Sequence, residues 1–176
     1  MSYLSRSAIA LVGLALIAAA AYAYLSSRDG APLLAWQDEA VVARGKLVYA
    51  QQCASCHGAS GEGQVAAGLP LGNGPPAPPH DASGHTWEHP DFALIQLTKI
   101  GEAAVACLPL DENFMPRFEE ALTDREVLDV LSYVKSTWPP ETIAFQEKVN
   151  RLYSSHNDAM WGLLALDEKG KSRPAR

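Results

Sequence analysis

The sequence predicts a helical protein without a β-sheet, on three observations. Apolar residues recur at helical spacing in residues 38–52, a capping-box sequence starts a second apolar stripe at Thr123, and no region is rich in strand-forming residues. The 176 residues suit one modest domain with an appended segment. A composition of 48% hydrophobic and 19% charged residues is ordinary for a folded chain. We therefore expect one compact helical core.

The N-terminal segment predicts export across a membrane. Residues 8–25 carry no charge, and as a helix they would be about 27 Å long, just enough for a hydrocarbon core of about 30 Å. Ala21-Tyr22-Ala23 also fits a signal-peptide cleavage site, but the apolar run exceeds the usual h-region of about 7–15 residues. We expect an uncleaved inner-membrane anchor with a periplasmic domain, and a soluble periplasmic protein after cleavage as the alternative.

The central part of the chain alternates helices with long loops. The first helix runs from Asp38 to Gln52 and leads directly into a pair of cysteines. Glycines and prolines between residues 58 and 90 exclude a long helix or a central strand there. A loop of that length usually has a function or wraps around something, such as a cofactor. A helix from Pro90 or Asp91 to about Ile100 follows, and then a second loop.

The last core helix is predicted from its start and stop signals. Thr123 and Glu126 form a capping-box sequence, an apolar stripe follows, and two prolines at 139–140 end the helix. Residues 141–156 are predicted to form a further amphipathic helix packed on the outside of the core, and the end of the tail to be frayed.

The string Cys53-Ala-Ser-Cys56-His57 restricts the chemistry of the chain. A redox dithiol normally begins a helix in a βαβ unit, whereas this pair ends a helix. A zinc site needs four ligands and would require a partner such as Cys107 or another histidine. Cys-x-x-Cys-His as a contiguous string is typical of covalent haem attachment, in which two thiols bond the haem vinyl groups and the histidine binds the iron. Haem c is the predicted cofactor, with zinc and a bare disulfide as alternatives.

With this motif, the chain resembles the class I c-type cytochromes over about residues 37–140. Besides CASCHG, the resemblance lies in a first helix with Gly45 and Tyr49, a loop with Met115, and a last helix with Val130 and Tyr133. It implies an all-α, cytochrome c-like fold wrapped around one covalent haem. In that fold Gly45 lets the first and last helices approach closely, and Tyr49 meets Val130 and Tyr133. The stretches PAPPHDASGHTWEHPD and YVKSTWPPE are also similar to a group of bacterial monohaem cytochromes.

The resemblance also implies a sixth iron ligand. Met115 lies in a Met-Pro context before the last helix, as the family's axial methionine does, and a thioether ligand raises the reduction potential. The alternatives are that Met115 only fills core space, that one of His80, His85 and His89 binds the iron, or that the position is open. Met160 lies beyond the family's domain, and we expect it outside the pocket.

The imidazole of an iron-binding histidine also needs an acceptor for its second ring nitrogen. In the family this acceptor is a proline carbonyl of the following loop. Pro76 or Pro78 is the expected acceptor, with Pro70 and Pro75 behind them.

Two further residues are not part of the minimal pattern of the family. Trp87, or a histidine of its loop, is predicted to hydrogen-bond a haem propionate, with ordinary loop packing as the alternative. Cys107 has no partner in the chain once two cysteines are used as thioethers, and we expect it to be buried rather than linked to another chain or reactive.

The predicted organisation is an anchor at residues 1–28, a cytochrome c domain at 37–140, and a C-terminal helix and tail at 141–176. The resemblance implies one-electron transfer without enzymatic chemistry, with redox proteins of a respiratory or dehydrogenase chain as partners. The alternative is a haem-bearing subunit of a larger oxidoreductase. An enzyme or a gas sensor would require an iron position that opens. The net charge of −6 argues against nucleic acid as a partner.

Overall fold

The computed structural model describes residues 3–26, 31–70, 75–101 and 115–166. Its secondary structure is helical, as the sequence predicted. A short 3₁₀ helix covers Thr86–Glu88, and the α-helices of the described residues are α1 (Tyr3–Ser26), α2 (Glu39–Gln52), α3 (Ala54–His57), α4 (Gly63–Ala66), α5 (Asp91–Ile100), α6 (Asp124–Ser136), α7 (Pro140–Leu152) and α8 (Ser154–Leu163).

The chain forms two compact units, Met1–Gly30 and Ala31–Arg176. Helix α1 belongs to the first unit, and its large apolar side chains between Ile9 and Ile17 are exposed. Among the described residues, no helix combines the length and the apolar character needed to span a membrane.

The predicted starts of the helices in the second unit are confirmed. The Asp38 carboxylate accepts hydrogen bonds from the backbone N–H groups of Ala40 and Val41, at 2.9 and 3.1 Å, and so caps α2. Helix α6 has the full capping box: Glu126 N–H donates to the Thr123 hydroxyl at 3.3 Å, and Thr123 N–H donates to the Glu126 carboxylate at 2.8 Å. These side chains satisfy N–H groups that have no partner within the helix.

Helices α2 and α6 pack against each other at Gly45. A Cβ atom at this position would lie 2.6 Å from the carbonyl carbon of Asp129, and closer still to its oxygen, so only glycine fits. The ring of Tyr49 then lies 5.4 Å from that of Tyr133. Beside the contact, the Arg44 guanidinium makes two hydrogen bonds to the Asp129 carboxylate, at 2.6 and 2.9 Å. The predicted close approach of these two helices is confirmed.

The C-terminal segment differs from its prediction, because it forms two helices and contributes to the core. Gln146 is fully buried, and Asn150 and Met160 are buried as well. The side-chain oxygen of Asn150 accepts a hydrogen bond from the backbone N–H of Asp91 at 2.8 Å, and that of Asn157 accepts one from the next residue of α5 at 3.0 Å. Helix α5 follows a proline that offers no side-chain cap, so α7 and α8 supply the acceptors. The predicted helix is present as α7, and most of its residues are exposed or partly exposed. The prediction lacked its polar buried face and the separate helix α8.

A buried charge lies at the same junction. The Lys135 side chain is 1% exposed, pairs with the Glu147 carboxylate and lies 3.9 Å from that of Asp91. Gln146 also donates to the Asp91 carboxylate, at 2.6 Å. Burial raises the pKa of Asp91, while the charge of Lys135 and the hydrogen bond from Gln146 oppose the rise. The network ties α5, α6 and α7 together.

Candidate haem site

The two cysteines lie at the junction of α2 and α3. Cys53 caps the end of α2, with its N–H donating to the Tyr49 carbonyl at 2.9 Å, and Cys56 lies within the single turn of α3. The Tyr49 hydroxyl donates to the Gly58 carbonyl at 3.0 Å, so α2 also fixes the end of that turn. Cys53 is half-buried and Cys56 is exposed. The motif is thus held against α2 with one sulfur open to solvent.

The surroundings of Cys53 favour the neutral form of its thiol. Burial raises the pKa of Cys53 to about 11, and the neighbouring Cys56 adds to the rise. A raised pKa disfavours the thiolate that binds metals and attacks disulfides. Among the described residues, no cluster of three or more His, Cys, Asp or Glu could hold a metal ion. Cys107, which the zinc alternative invoked and which we expected to be buried, lies outside those residues.

His57 ends α3 and is buried, with 6% of its surface exposed. Its Nδ1 lies 2.9 Å from the carbonyl oxygen of Pro78. Because a carbonyl only accepts, Nδ1 carries the proton and Nε2 keeps the lone pair that a metal needs. Desolvation lowers the pKa of His57, against the opposing effect of the Pro78 carbonyl, and this favours the neutral imidazole.

The acceptor is Pro78 and not Pro76, which corrects the choice of Pro76 as a site residue. The side chain of Gln64 accepts from Ala77 N–H at 2.9 Å, and the Gln64 N–H donates to the Ala77 carbonyl at 3.0 Å. This double link fixes the register of the proline-rich loop, so that the next carbonyl faces His57. Pro76 and Pro78 both line a surface groove of about 260 Å³ beside Val65, and of the two only Pro78 has its carbonyl on His57.

His80 stacks on the face of His57, with ring centroids 3.9 Å apart and planes at 22°. Its Nδ1 lies 2.8 Å from the Thr86 hydroxyl, and its backbone carbonyl accepts from the Trp138 indole at 2.7 Å. Burial lowers the pKa of His80 to about 3, with His57 and then His85 adding to the effect, so the ring is neutral at pH 7. Two histidines that bind one iron from opposite sides meet end to end, not face to face. His80 is therefore not placed to be the sixth ligand.

Sequence reasoning treated His80 as a competing ligand or as one of the possible propionate donors, and missed its contact with His57. It also missed Thr86 and Trp138, because nothing in their spacing links them to the motif. The short interval between Pro78 and His80 was the one available signal, since the acceptor of the His57 proton and the stacked ring lie two residues apart.

The loop around Trp87 was predicted to face a haem propionate. Trp87 is half-buried, its ring packs edge-on against Phe145 at 5.2 Å, and its Nε1 is buried without a hydrogen-bond partner among the described residues. A buried N–H without an acceptor is costly, and a propionate oxygen is an acceptor of the right chemistry. The neighbouring His85 is exposed, with its ring 5.7 Å from that of His89.

Met115 is half-buried and packs against the hydrophobic core. The chain just after it is fixed to the end of α5, because Phe118 N–H donates to the Thr98 carbonyl at 3.3 Å and the next residue bonds Lys99 at 3.0 Å. Met160, in α8, is buried in the same hydrophobic core.

These residues fit a covalently held haem. The cysteines lie on one turn with Cys56 exposed, and the Nδ1 proton of His57 is engaged so that Nε2 can bind iron. Trp87 offers a buried donor that has no partner within the described part of the chain. The fit rests on the chemistry of the motif, which supplies the two thiols and the imidazole that a c-type haem uses for attachment and iron binding.

Comparisons with known proteins agree with this chemistry. The family model described as Cytochrome c matches residues 42–138, which is more than half of the chain. The chain is 30% identical over 97 residues to the Cbb3-type cytochrome c oxidase subunit CcoP of Azospirillum brasilense, covering 55% of this chain and 28% of that protein. It is 31% identical over 97 residues to the subunit of the same name from Azospirillum sp. (strain B510), covering 55% and 29%.

The chain therefore aligns with less than a third of the length of these curated relatives. No solved structure matches the chain significantly. The residues matched by the family model extend from α2 to the end of α6 and include the whole CASCH motif, Pro78 and Met115. The chain belongs to the cytochrome c family, whose domain transfers electrons through a covalently bound haem c.

Proposed function

We propose that the protein is a one-electron carrier with a single covalent haem, held by Cys53 and Cys56 and bound at the iron by His57 and Met115. One observation carries the proposal. The Nδ1 proton of His57 is engaged by the Pro78 carbonyl at 2.9 Å, directly behind the two cysteines, which leaves Nε2 as the metal-binding nitrogen. A general base could present the same free Nε2, so the position of His57 directly behind Cys53 and Cys56 is what identifies this nitrogen as an iron ligand.

A c-type haem supplies a one-electron Fe(II)/Fe(III) couple. The residues of the chain hold and tune it. Cys53 and Cys56 fix its position through thioether bonds, and Met115 supplies a soft sulfur that favours Fe(II). Trp87 Nε1 would donate to a haem propionate, and the core that packs against Met115 would keep water from the iron. No substrate bond is made or broken.

The attachment is tested by replacing both cysteines with alanine and comparing the product with Ser55→Ala. Ser55 is exposed within the same motif and has no bond to a haem in the proposal, so it is a matched control. The double variant should lose covalent haem in denaturing gels stained for haem, and should be unfolded or degraded. Ser55→Ala should retain one haem per chain by intact mass. A stable, folded, haem-free double variant, or zinc bound by the wild type, would overturn the proposal.

The proposal includes export of the haem domain. The uncharged residues 8–25 support translocation by an N-terminal segment that stays attached to the inner membrane. Intact mass should then show an N-terminus at or near Met1, and the protein should stay with membranes after a high-salt wash, which screens surface charge without extracting an apolar helix. An N-terminus at Tyr24 would instead identify a soluble periplasmic carrier with the same haem chemistry.

A second candidate function is a haem subunit within a respiratory oxidase or dehydrogenase complex. The observation that favours it is the similarity to two proteins described as subunits of a cytochrome c oxidase. A subunit should co-purify in fixed stoichiometry from gently solubilised membranes, whereas a carrier should be recovered alone. Carbon monoxide binding to the reduced wild-type protein would oppose both candidates, because it requires an open iron position.

A further inference from the structure

The ring of His80 is fixed in place over the ring of His57. The Thr86 hydroxyl is 3.4 Å from the Pro79 carbonyl, to which it donates, so it accepts from His80 Nδ1–H at 2.8 Å. The His80 imidazole is thereby held at its edge while its face lies on His57 at 3.9 Å. The histidine pair is a fixed stack and not a chance contact of two mobile rings.

The backbone of His80 is held from two directions. Its N–H donates to the Gly61 carbonyl at 2.7 Å, in the loop that follows the haem motif. Its carbonyl accepts from the buried indole of Trp138 at 2.7 Å, at the end of α6. The residue therefore cannot withdraw from His57 without breaking links to both of these segments.

The stack complements the hydrogen bond from His57 to Pro78. That bond lies along the ring of His57 and fixes its tautomer, but a ring can still rock about the axis of a single hydrogen bond. The ring of His80, stacked on the face of His57, removes that freedom and shields the His57 imidazole from solvent. The two contacts together define one orientation of the His57 plane.

We propose that His80 is a positioning residue for electron transfer, whose imidazole sets the plane of the ligand His57 and shields that ligand from water. This inference rests on the proposed role of His57 as an iron ligand. The plane of an axial imidazole governs its overlap with the iron orbitals, and exclusion of water disfavours the more highly charged ferric state. His80 therefore raises the reduction potential without touching the iron.

The test compares the full-length haem protein with His80→Leu, His80→Phe and the control His156→Leu. His156 also stacks on an aromatic ring, that of Phe92 at 5.0 Å and 27°, but on a residue with no proposed bond to iron. The measurements are the reduction potential and the pattern of haem methyl shifts in the ferric proton NMR spectrum, which reports the plane of the axial ligand.

His80→Leu should rearrange the methyl shifts and move the equilibrium toward Fe(III) by at least about threefold, or about 28 mV for a one-electron couple. His80→Phe restores an aromatic face and should return both readouts toward the wild-type values. His156→Leu should change neither. Should His80→Leu yield too little haem protein to measure, Thr86→Val decides. It keeps both imidazoles, removes the hydroxyl that holds His80 Nδ1 and also bonds the Pro79 carbonyl, and should shift both readouts in the same direction.

His80→Leu with the potential and methyl shifts of His156→Leu would overturn the inference while leaving the proposed carrier intact. If Thr86→Val has to decide, a reduction potential and methyl shifts equal to those of the wild type would likewise overturn the inference. A wild-type protein without covalent haem, or with haem that His57 does not bind, would overturn the proposed function and this inference together.

Discussion

Replacing Gly45 by alanine should destabilise the protein, because the added methyl group has no room between α2 and α6. The new Cβ would lie 2.6 Å from the carbonyl carbon of Asp129, closer to its oxygen, and 2.9 Å from the Cβ of Tyr133. Contacts of a Cβ under 3.0 Å essentially never occur. Because the main obstacle is backbone of α6, no side chain can turn aside, and the two helices must move apart.

The size of the effect follows from that movement. A gap of about 0.5–1 Å between packed surfaces already forfeits a quarter to a half of their dispersion attraction. Overpacking a core costs about 1–3 kcal/mol, and here the movement also strains the Arg44 pair with the buried Asp129. The gain in helix propensity from alanine, about 1 kcal/mol, does not offset this. Because the clash is with backbone, we take the upper end of that range, which leaves a net loss of about 2 kcal/mol.

Urea unfolding of the haem protein, followed by far-ultraviolet circular dichroism, measures this loss. The matched control is Gly162→Ala in α8, where an added Cβ meets nothing within 4 Å. This control should be stabilised by about 0.5–1 kcal/mol through helix propensity alone. A loss below about 1 kcal/mol for Gly45→Ala, or an equal loss for Gly162→Ala, would refute the reasoning.

Three further outcomes are expected. Met115→Ala should let carbon monoxide bind the reduced protein and should abolish the visible charge-transfer band that ferric iron shows with a thioether ligand. The control Met160→Ala should lower stability and leave the band unchanged. Persistence of the band in Met115→Ala would show that another residue is the ligand. Hydrogen bonds from the backbone and hydroxyl of Thr123 hold the pKa of Glu126 below its ordinary value of 4.5. Since the pKa of Glu126 is depressed in the folded protein, its stabilisation is present above pH 4.5 and is lost as the pH falls through the folded value. The difference in free energy of unfolding between the wild type and Glu126→Gln, measured in urea, should therefore vanish in acid. A difference undiminished at about pH 2 would contradict this. Asn150→Ala leaves the N–H of Asp91 without its acceptor and should cost about 2 kcal/mol in the same assay, and a cost near zero would contradict the capping of α5 by α7.

The helical elements and their starts could be predicted because their signals are local. The carboxylate of Asp38 and the capping box at Thr123 act within three residues, so their hydrogen bonds follow from the order of the chain. The resemblance predicted that Gly45 lets the first and last helices approach closely, and α2 and α6 do so at this residue. The same local reasoning predicted the helix α7 but not its partners, because the hydrogen bonds of Gln146 and Asn150 to the start of α5 join segments that are distant in the sequence.

The sequence by itself determined the chemistry of the motif, because Cys53, Cys56 and His57 are contiguous and short-range chain geometry fixes their spacing. Only the tertiary structure decided what surrounds that motif. Several prolines in one loop offer similar carbonyls, and the choice of Pro78 depends on how Gln64, on another segment, fixes the register of that loop. The stack of His80 on His57 likewise depends on the path of the intervening loop and on Trp138, which lies 58 residues away along the chain. Contacts between distant segments arise from packing of the whole domain, and no local pattern encodes them.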